Sequence, residues 1–162
     1  MNAPKEEFSQ RSSDVSDALR ALHDAKYLNL ESYRRDGTGV LTPVWFAAGS
    51  RDLPSSDIRK LYVYTTADSG KAKRVRRCEA IRIAACDVRG TVTGPWTDAV
   101  AEVVTGEESA LGMRLLDKKY FPWKQILNLL AHLFRRQKRI VIAIHAVATN
   151  GHHNTEIESE PE

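Results

Sequence analysis

With 162 residues, 24 Lys+Arg against 21 Asp+Glu and a formal net charge of +3, the chain has the length for one domain whose core needs neither metal nor disulfide. Its charges are too balanced to demand a nucleic acid or an anionic membrane as partner; a small anionic ligand is enough. No apolar run approaches membrane-spanning length, residues 1–20 lack the apolar stretch of a secretory signal, and Cys78 and Cys86 have no Cys-x-x-Cys spacing, so a soluble cytoplasmic protein with reduced thiols is expected.

In chain order, Met1 to Ser13 is polar and is expected to be flexible, followed by a single domain over residues 14–150. Ser16 to Ala25 carries Ala18, Leu19, Leu22 and Ala25 at helical spacing behind a Ser or Asp cap. Lys26 to Arg35 alternates as a strand, Asp36-Gly37 supplies the left-handed positions of a tight hairpin, and Val40 to Ala48 is the return strand. After a loop from Gly49 to Asp57, Leu61 to Thr66 is a strand, Ser69 to Cys78 a short helix and Ile81 to Val88 a strand. Arg89 to Trp96 then connects to a strand at Asp98 to Thr105. Glu107 to Tyr120 and Trp123 to Gln137 read as helices, Arg139 to Ala148 as a last strand, and the four glutamates of 151–162 as a flexible acidic tail. Strand-helix alternation occurs only locally, which favours antiparallel pairing. The expected fold is all-β: six mostly antiparallel strands closed into a small barrel, with peripheral helices.

The chemistry concentrates in Tyr62 to Arg74, where an alternating strand runs through a polar turn into a basic helix start. The first N–H groups of a helix are unpaired and carry the positive end of its dipole, so a phosphate seated there gains hydrogen bonds and favourable charge together, with Ser69 and Lys71 placed to complete the seat. The structural alternative makes Asp68 or Ser69 a plain N-cap and Lys71, Lys73, Arg74, Arg76 and Arg77 a solvated face, and spacing alone leaves both open. Gly70-Lys71 is no Walker loop, because Thr65 stands where that motif needs glycine, and Asp36 to Gly39 lacks the third glycine of a dinucleotide loop. His23, His132, His145 and the tail pair His152-His153 are scattered, so no catalytic side chain and no metal site is assigned.

The segment resembles the phosphate-binding strand and helix of the pyridoxamine 5'-phosphate oxidase-like split β-barrel family, whose pattern is an aromatic, Thr, a short turn, Ser, one residue, Lys, Ala. Tyr64, Thr65, Ser69, Lys71 and Ala72 match it. Tyr33 to Gly37 followed by Thr42 to Phe46, Ser69 to Arg74 followed by Arg76-Arg77, Cys86 to Gly90 followed by Gly94-Pro95-Trp96, and a helical C-terminal part ending in an apolar strand resemble the deazaflavin F420-dependent branch. The likeness spans nearly all of Leu28 to Ile144; the departure is Cys78-Glu79 where the family has Asn-Pro.

The resemblance implies a split-barrel homodimer with the cofactor ring between subunits. By it, Ser69, Gly70 and Lys71 would grip phosphate, Thr65 and Thr66 would line the ribityl chain, Thr42, Pro43, Val44 and Trp45 would lie along the ring, and Trp96 would contribute to the site. Trp45 and Trp96 have core or interface packing as their alternative. The implied activity is that of an F420-dependent oxidoreductase passing hydride to or from a small organic substrate. FMN in the same fold, and a non-enzymatic flavin- or haem-binding carrier, are the alternatives. The basic cluster Arg135, Arg136, Lys138 and Arg139, or Arg76-Arg77, would then attract the acidic oligoglutamate tail of F420, although cations ending a helix also complement its dipole.

Overall fold

Alternate side chains of neighbouring strands point into one shared buried interior, and runs of consecutive buried residues at 28–30, 61–63, 83–86 and 141–144 show that parts of the outer face are covered too. The computed structural model describes residues 17–51, 57, 59–121 and 138–147. Helical segment 17–23 (α1) leads into β1 (Tyr27–Tyr33), β2 (Gly39–Trp45), β3 (Ala47–Ala48), β4 (Lys60–Thr66), α2 (Gly70–Arg77), β5 (Ala80–Cys86), β6 (Thr97–Val104), α3 (Gly106–Tyr120) and β7 (Arg139–Ala146). The sheet runs β2-β1-β5-β6-β7-β4-β3, and each of its pairings is antiparallel. Its two outermost strands, β2 and β3, are separated only by Phe46, so the chain itself closes the sheet into a split barrel.

Seven strands stand where six were expected, because the return strand predicted over Val40 to Ala48 changes partners in its middle. Up to Trp45 it pairs with β1; from Ala47 it pairs with β4. Phe46, 1% exposed, lies at the changeover, and a side chain serves its backbone: its N–H donates to the Tyr120 hydroxyl oxygen at 3.1 Å. The same hydroxyl faces the carbonyls of Phe46 at 2.9 Å and Lys26 at 2.6 Å. A corner left without such partners would strand buried polar groups.

One set of alternate side chains fills the barrel: Leu28 and Leu30 from β1, Val63 from β4, Ile83 from β5, Ile142 and Ile144 from β7, all 0% exposed, with Leu22 of α1 packed on them. The opposite face of β3, β4, β6 and β7 buries Ala47, Tyr62, Val104, Val141 and Ala143 under Leu111, Leu115 and Leu116 of α3. Gly112 allows that approach, since a Cβ there would stand 2.8 Å from Val141 Cγ1 and 2.9 Å from Tyr62 Cδ1. The hairpin at Asp36-Gly37 forms as expected, with Gly37 at φ 84°. The termini, the helix predicted at Trp123 to Gln137, His132, Arg135, Arg136 and the tail histidines lie outside the described residues. No helix among the described residues is long and apolar enough to cross a membrane.

Candidate functional site

The turn after β4 is organised by its own polar side chains. Ser69 is extended (φ −63°, ψ 150°) and caps α2: its Oγ accepts from the Ala72 N–H at 3.2 Å and lies 2.9 Å from Thr65 Oγ1. The capping alternative is therefore realised, by Ser69 rather than Asp68. It leaves a seat beside it, because the N–H groups of Gly70 and Lys71 meet no acceptor among the described residues, as befits a first helical turn, and that turn carries no acid. The other cations of α2 do not form a uniformly solvated face. Arg74 Nε donates to Ser32 Oγ at 2.8 Å, Arg76 to the Ala67 carbonyl at 2.8 Å, and Arg77 to the Tyr33 carbonyl. With Ala72 and Val75 buried, these bonds fix the helix, and its first turn, against the barrel.

In front of that turn opens a cleft of about 550 Å³. One wall is the chain leading into the corner: Pro43, Val44 and Trp45. The other is the turn itself: Thr65, Thr66, Ser69 and Lys71. The cleft lies where the sheet is split: up to Trp45 the chain pairs with β1 and only from Ala47 with β4, so β2 and β4 stay unpaired with each other. β2 is the outermost strand and has β1 as its neighbour, so Pro43 withholds no ladder donor from a central position. Trp45 is held in the wall by stacking on Tyr120, with ring centroids 4.9 Å apart and planes 13° from parallel. Among the described lining residues the charged groups are Lys71 and Arg139, and no carboxylate joins them. Burial, reinforced by the nearby Arg74 charge, pushes the Lys71 ammonium below the ordinary lysine range. A cation so placed is short of counter-charge.

Seven of the residues proposed from sequence thus meet around one cleft: Pro43, Val44, Trp45, Thr65, Thr66, Ser69 and Lys71. Three do not line it. Thr42 pairs with Leu30 and shares the interior-facing phase of β2 with Val44. Gly70 is exposed at the start of α2. Trp96 lies across the barrel beneath the Arg82 guanidinium, 5.0 Å from the ring centroid. Conversely, Tyr27, Tyr64 and Val88 line the cleft without having been singled out as ligand contacts, and Arg139, expected only as one of a basic cluster for an oligoglutamate tail, lines it as well. Arg139 opens β7, where pairing with Thr66 brings it to the cleft and over the Tyr64 ring at 5.8 Å. Tyr27 arrives by pairing with Trp45. Tyr64 was visible only as the aromatic of the phosphate-turn pattern. Neither His23 nor His145 lines the cleft.

No protein-family model matches the sequence, and no curated protein matches it either. Solved structures are similar in fold. A conserved hypothetical protein from Mycobacterium tuberculosis is 21% identical over 81% of this chain and 79% of its own, with a TM-score of 0.55. The haem storage protein HutZ of Vibrio cholerae is 12% identical over 90% of this chain and 91% of its own, with a TM-score of 0.54. A protein of the pyridoxine phosphate oxidase family from Clostridium acetobutylicum is 10% identical over 83% and 84%, with a TM-score of 0.54. At such identities the shared property is the architecture.

Proposed function

We propose that this chain, which has the split-barrel fold of the pyridoxamine 5'-phosphate oxidase-like proteins, is an oxidoreductase that holds a flavin-type cofactor in the cleft between β2 and the β4–α2 turn. F420 is the first choice and FMN the alternative; the reaction passes hydride to or from a small organic substrate. The observation that carries the reading is the meeting, in one cleft, of a strand-edge wall at Pro43 to Trp45 with a cationic helix-start seat at Ser69 to Lys71.

The residues present fit the group. Lys71 is half-buried with a depressed pKa, and a phosphate beside it supplies the missing counter-charge. The Gly70 and Lys71 N–H groups point from a helix start that favours an anion. The Ser69 hydroxyl accepts from Ala72; when Thr65 donates to it, its own proton is left for a phosphate oxygen. Thr65 and Thr66 then border the polyol chain, and the backbone of Val44 and Trp45, on the outermost strand, offers alternating donors and acceptors to the edge of a ring. Bound there, the cofactor supplies the hydride chemistry at its central ring. The chain's part is to bind and orient it, with Trp45 braced by Tyr120 and the Tyr64 and Arg139 side chains closing the wall. No side chain is assigned as acid or base.

The homodimer belongs to the same proposal. Among the described residues, no helix packs on the outer face of β2, β1 and β5 as α3 does on β4 and β7, and Leu41 at 52%, Val100 at 37% and Val88 at 66% stand exposed there or beside it. A second copy seated on this face would cover Trp96 and meet the cleft at Val88.

The test is Lys71→Met with equilibrium titration of FMN and F420. A charge-assisted hydrogen bond of about 1.5–3 kcal/mol corresponds to a loss of affinity of roughly tenfold or more. The expected result is that loss for whichever cofactor the parent binds, with thermal stability unchanged. Intact affinity in a folded variant overturns the reading.

A further inference from the structure

A second and larger hollow, about 850 Å³, opens on the other side of the Phe46 corner. Its floor is apolar: Leu19 and Leu22 of α1, Phe46, Leu61 of β4 and Leu115 of α3. Its rim is cationic, with Arg20, Arg51, Arg59, Lys118 and Lys119, and no carboxylate appears among the described lining residues. Some of these charges are spoken for: Arg59 pairs with Asp57 at 3.2 Å and Arg20 with Asp17 at 3.4 Å. Lys119 is not. Its ammonium donates to the Ala25 carbonyl at 3.0 Å and stands 3.7 Å from the centre of the Phe46 ring, with no acidic partner among the described residues. Of its three protons, one goes to that carbonyl. Lys119 is solvent-exposed as a residue, yet partial desolvation of its ammonium against the Phe46 ring pushes its pKa down to about 8, a cation with reduced hydration and no compensating anion beside it among the described residues.

We infer that this hollow binds an amphipathic carboxylate, its apolar chain on the Leu22, Phe46, Leu61 and Leu115 floor and its carboxylate on Lys119 and the neighbouring rim cations. Other ligand classes fail on one count each. A neutral apolar molecule leaves the Lys119 ammonium unpaired, a cationic amphiphile meets a rim of its own sign, and a small polyanion leaves the floor uncovered. The geometry of the Lys71 cleft plays no part in the argument, so the inference stands or falls apart from the cofactor reading.

The probe is decanoate, below its micellar concentration, titrated calorimetrically into the full chain, with decanol and decyltrimethylammonium as controls. One decanoate site per chain is expected, weakened by added salt, with decanol far weaker and the cation not bound. Lys119→Met, which keeps the aliphatic stem over Phe46, should weaken decanoate at least about tenfold, the equivalent of one charge-assisted bond, and Lys71→Met should leave it unchanged. Should Lys119→Met fail to fold, Arg51→Met on its exposed turn combined with Lys118→Met takes its place, with the same expected weakening. Absence of decanoate binding, equal affinity for decyltrimethylammonium, binding indifferent to these substitutions, or loss of binding in Lys71→Met would each overturn the inference. So would binding of tetraglutamate in preference to decanoate, since the apolar floor would then be unused.

Discussion

Removing only the oxygen of Tyr120 tests the corner on which both hollows depend. In Tyr120→Phe the ring remains, and with it the stack on Trp45 at 4.9 Å, a contact of roughly 0.5–1.5 kcal/mol. What goes is the acceptor for the Phe46 N–H at 3.1 Å and the donor facing the Phe46 and Lys26 carbonyls at 2.9 and 2.6 Å. A buried backbone group left unpaired costs about 1–3 kcal/mol, and one hydroxyl proton serves a single carbonyl at a time, so the expected loss is about 2 kcal/mol. For a chain of this size that is a fall in Tm of roughly 4–8 °C. Urea unfolding followed by tryptophan fluorescence measures the free energy, and near-ultraviolet circular dichroism reports whether Trp45 keeps its environment. Tyr120→Ala, which also deletes the stack, should lose clearly more. A Tyr120→Phe protein within about 0.5 kcal/mol of the parent would mean that the changeover at Phe46 does not need this hydroxyl, and the account of the seventh strand would be wrong.

Three further outcomes are expected. Gly112→Ala gains about 1 kcal/mol of helix propensity but drives a Cβ to 2.8 and 2.9 Å from Val141 and Tyr62, each 1% exposed; with overpacking at about 1–3 kcal/mol, urea titration should show a net loss near 1 kcal/mol, and a net gain would contradict the close packing of α3. Ser69→Ala should lose about 1 kcal/mol as a missing cap, whereas Ser69→Asp should keep most of the stability and still lose FMN and F420 binding, because it restores the acceptor while setting a carboxylate where phosphate would sit; equal cofactor affinity in Ser69→Asp and parent would remove Ser69 from the seat. Alkaline stability should turn over. Partial desolvation lowers the Lys119 ammonium from 10.5 to about 8, so the cost of keeping it charged in the fold is relieved, and stability rises slightly, between those values; Tyr62 and Tyr120 are raised from 10.0 to about 12, so their contribution is whole below pH 10 and lost as pH climbs towards 12. Urea midpoints measured from pH 7 to 11.5 should show both limbs, the first flattened in Lys119→Met and the second reduced in Tyr120→Phe.

Much of this architecture is written in short windows of the chain. Asp36-Gly37 turns the hairpin because only those two residues and their flanks decide it, and the helix predicted over Ser69 to Cys78 runs from Gly70 to Arg77 with Ser69 and Cys78 as its caps, since capping involves atoms a few positions apart. The strand end, capped turn and basic helix start proposed as an anion seat were legible for the same reason, since all three lie within Thr65 to Ala72. Alternation likewise told which side chains of β1 share a face, though not which strand would lie alongside. That choice belongs to the folded molecule. It split the return strand at Phe46, where a hydroxyl 74 positions away takes over the backbone, and it carried Arg139 and Tyr27 into the cleft through their pairings with Thr66 and Trp45. It also left Trp96 on the far side of the barrel, against Arg82. Local propensities and periodicity depend on neighbours in sequence, whereas a barrel's closure, its split and the charges gathered at its two hollows depend on contacts between distant segments, which only the packed core brings together.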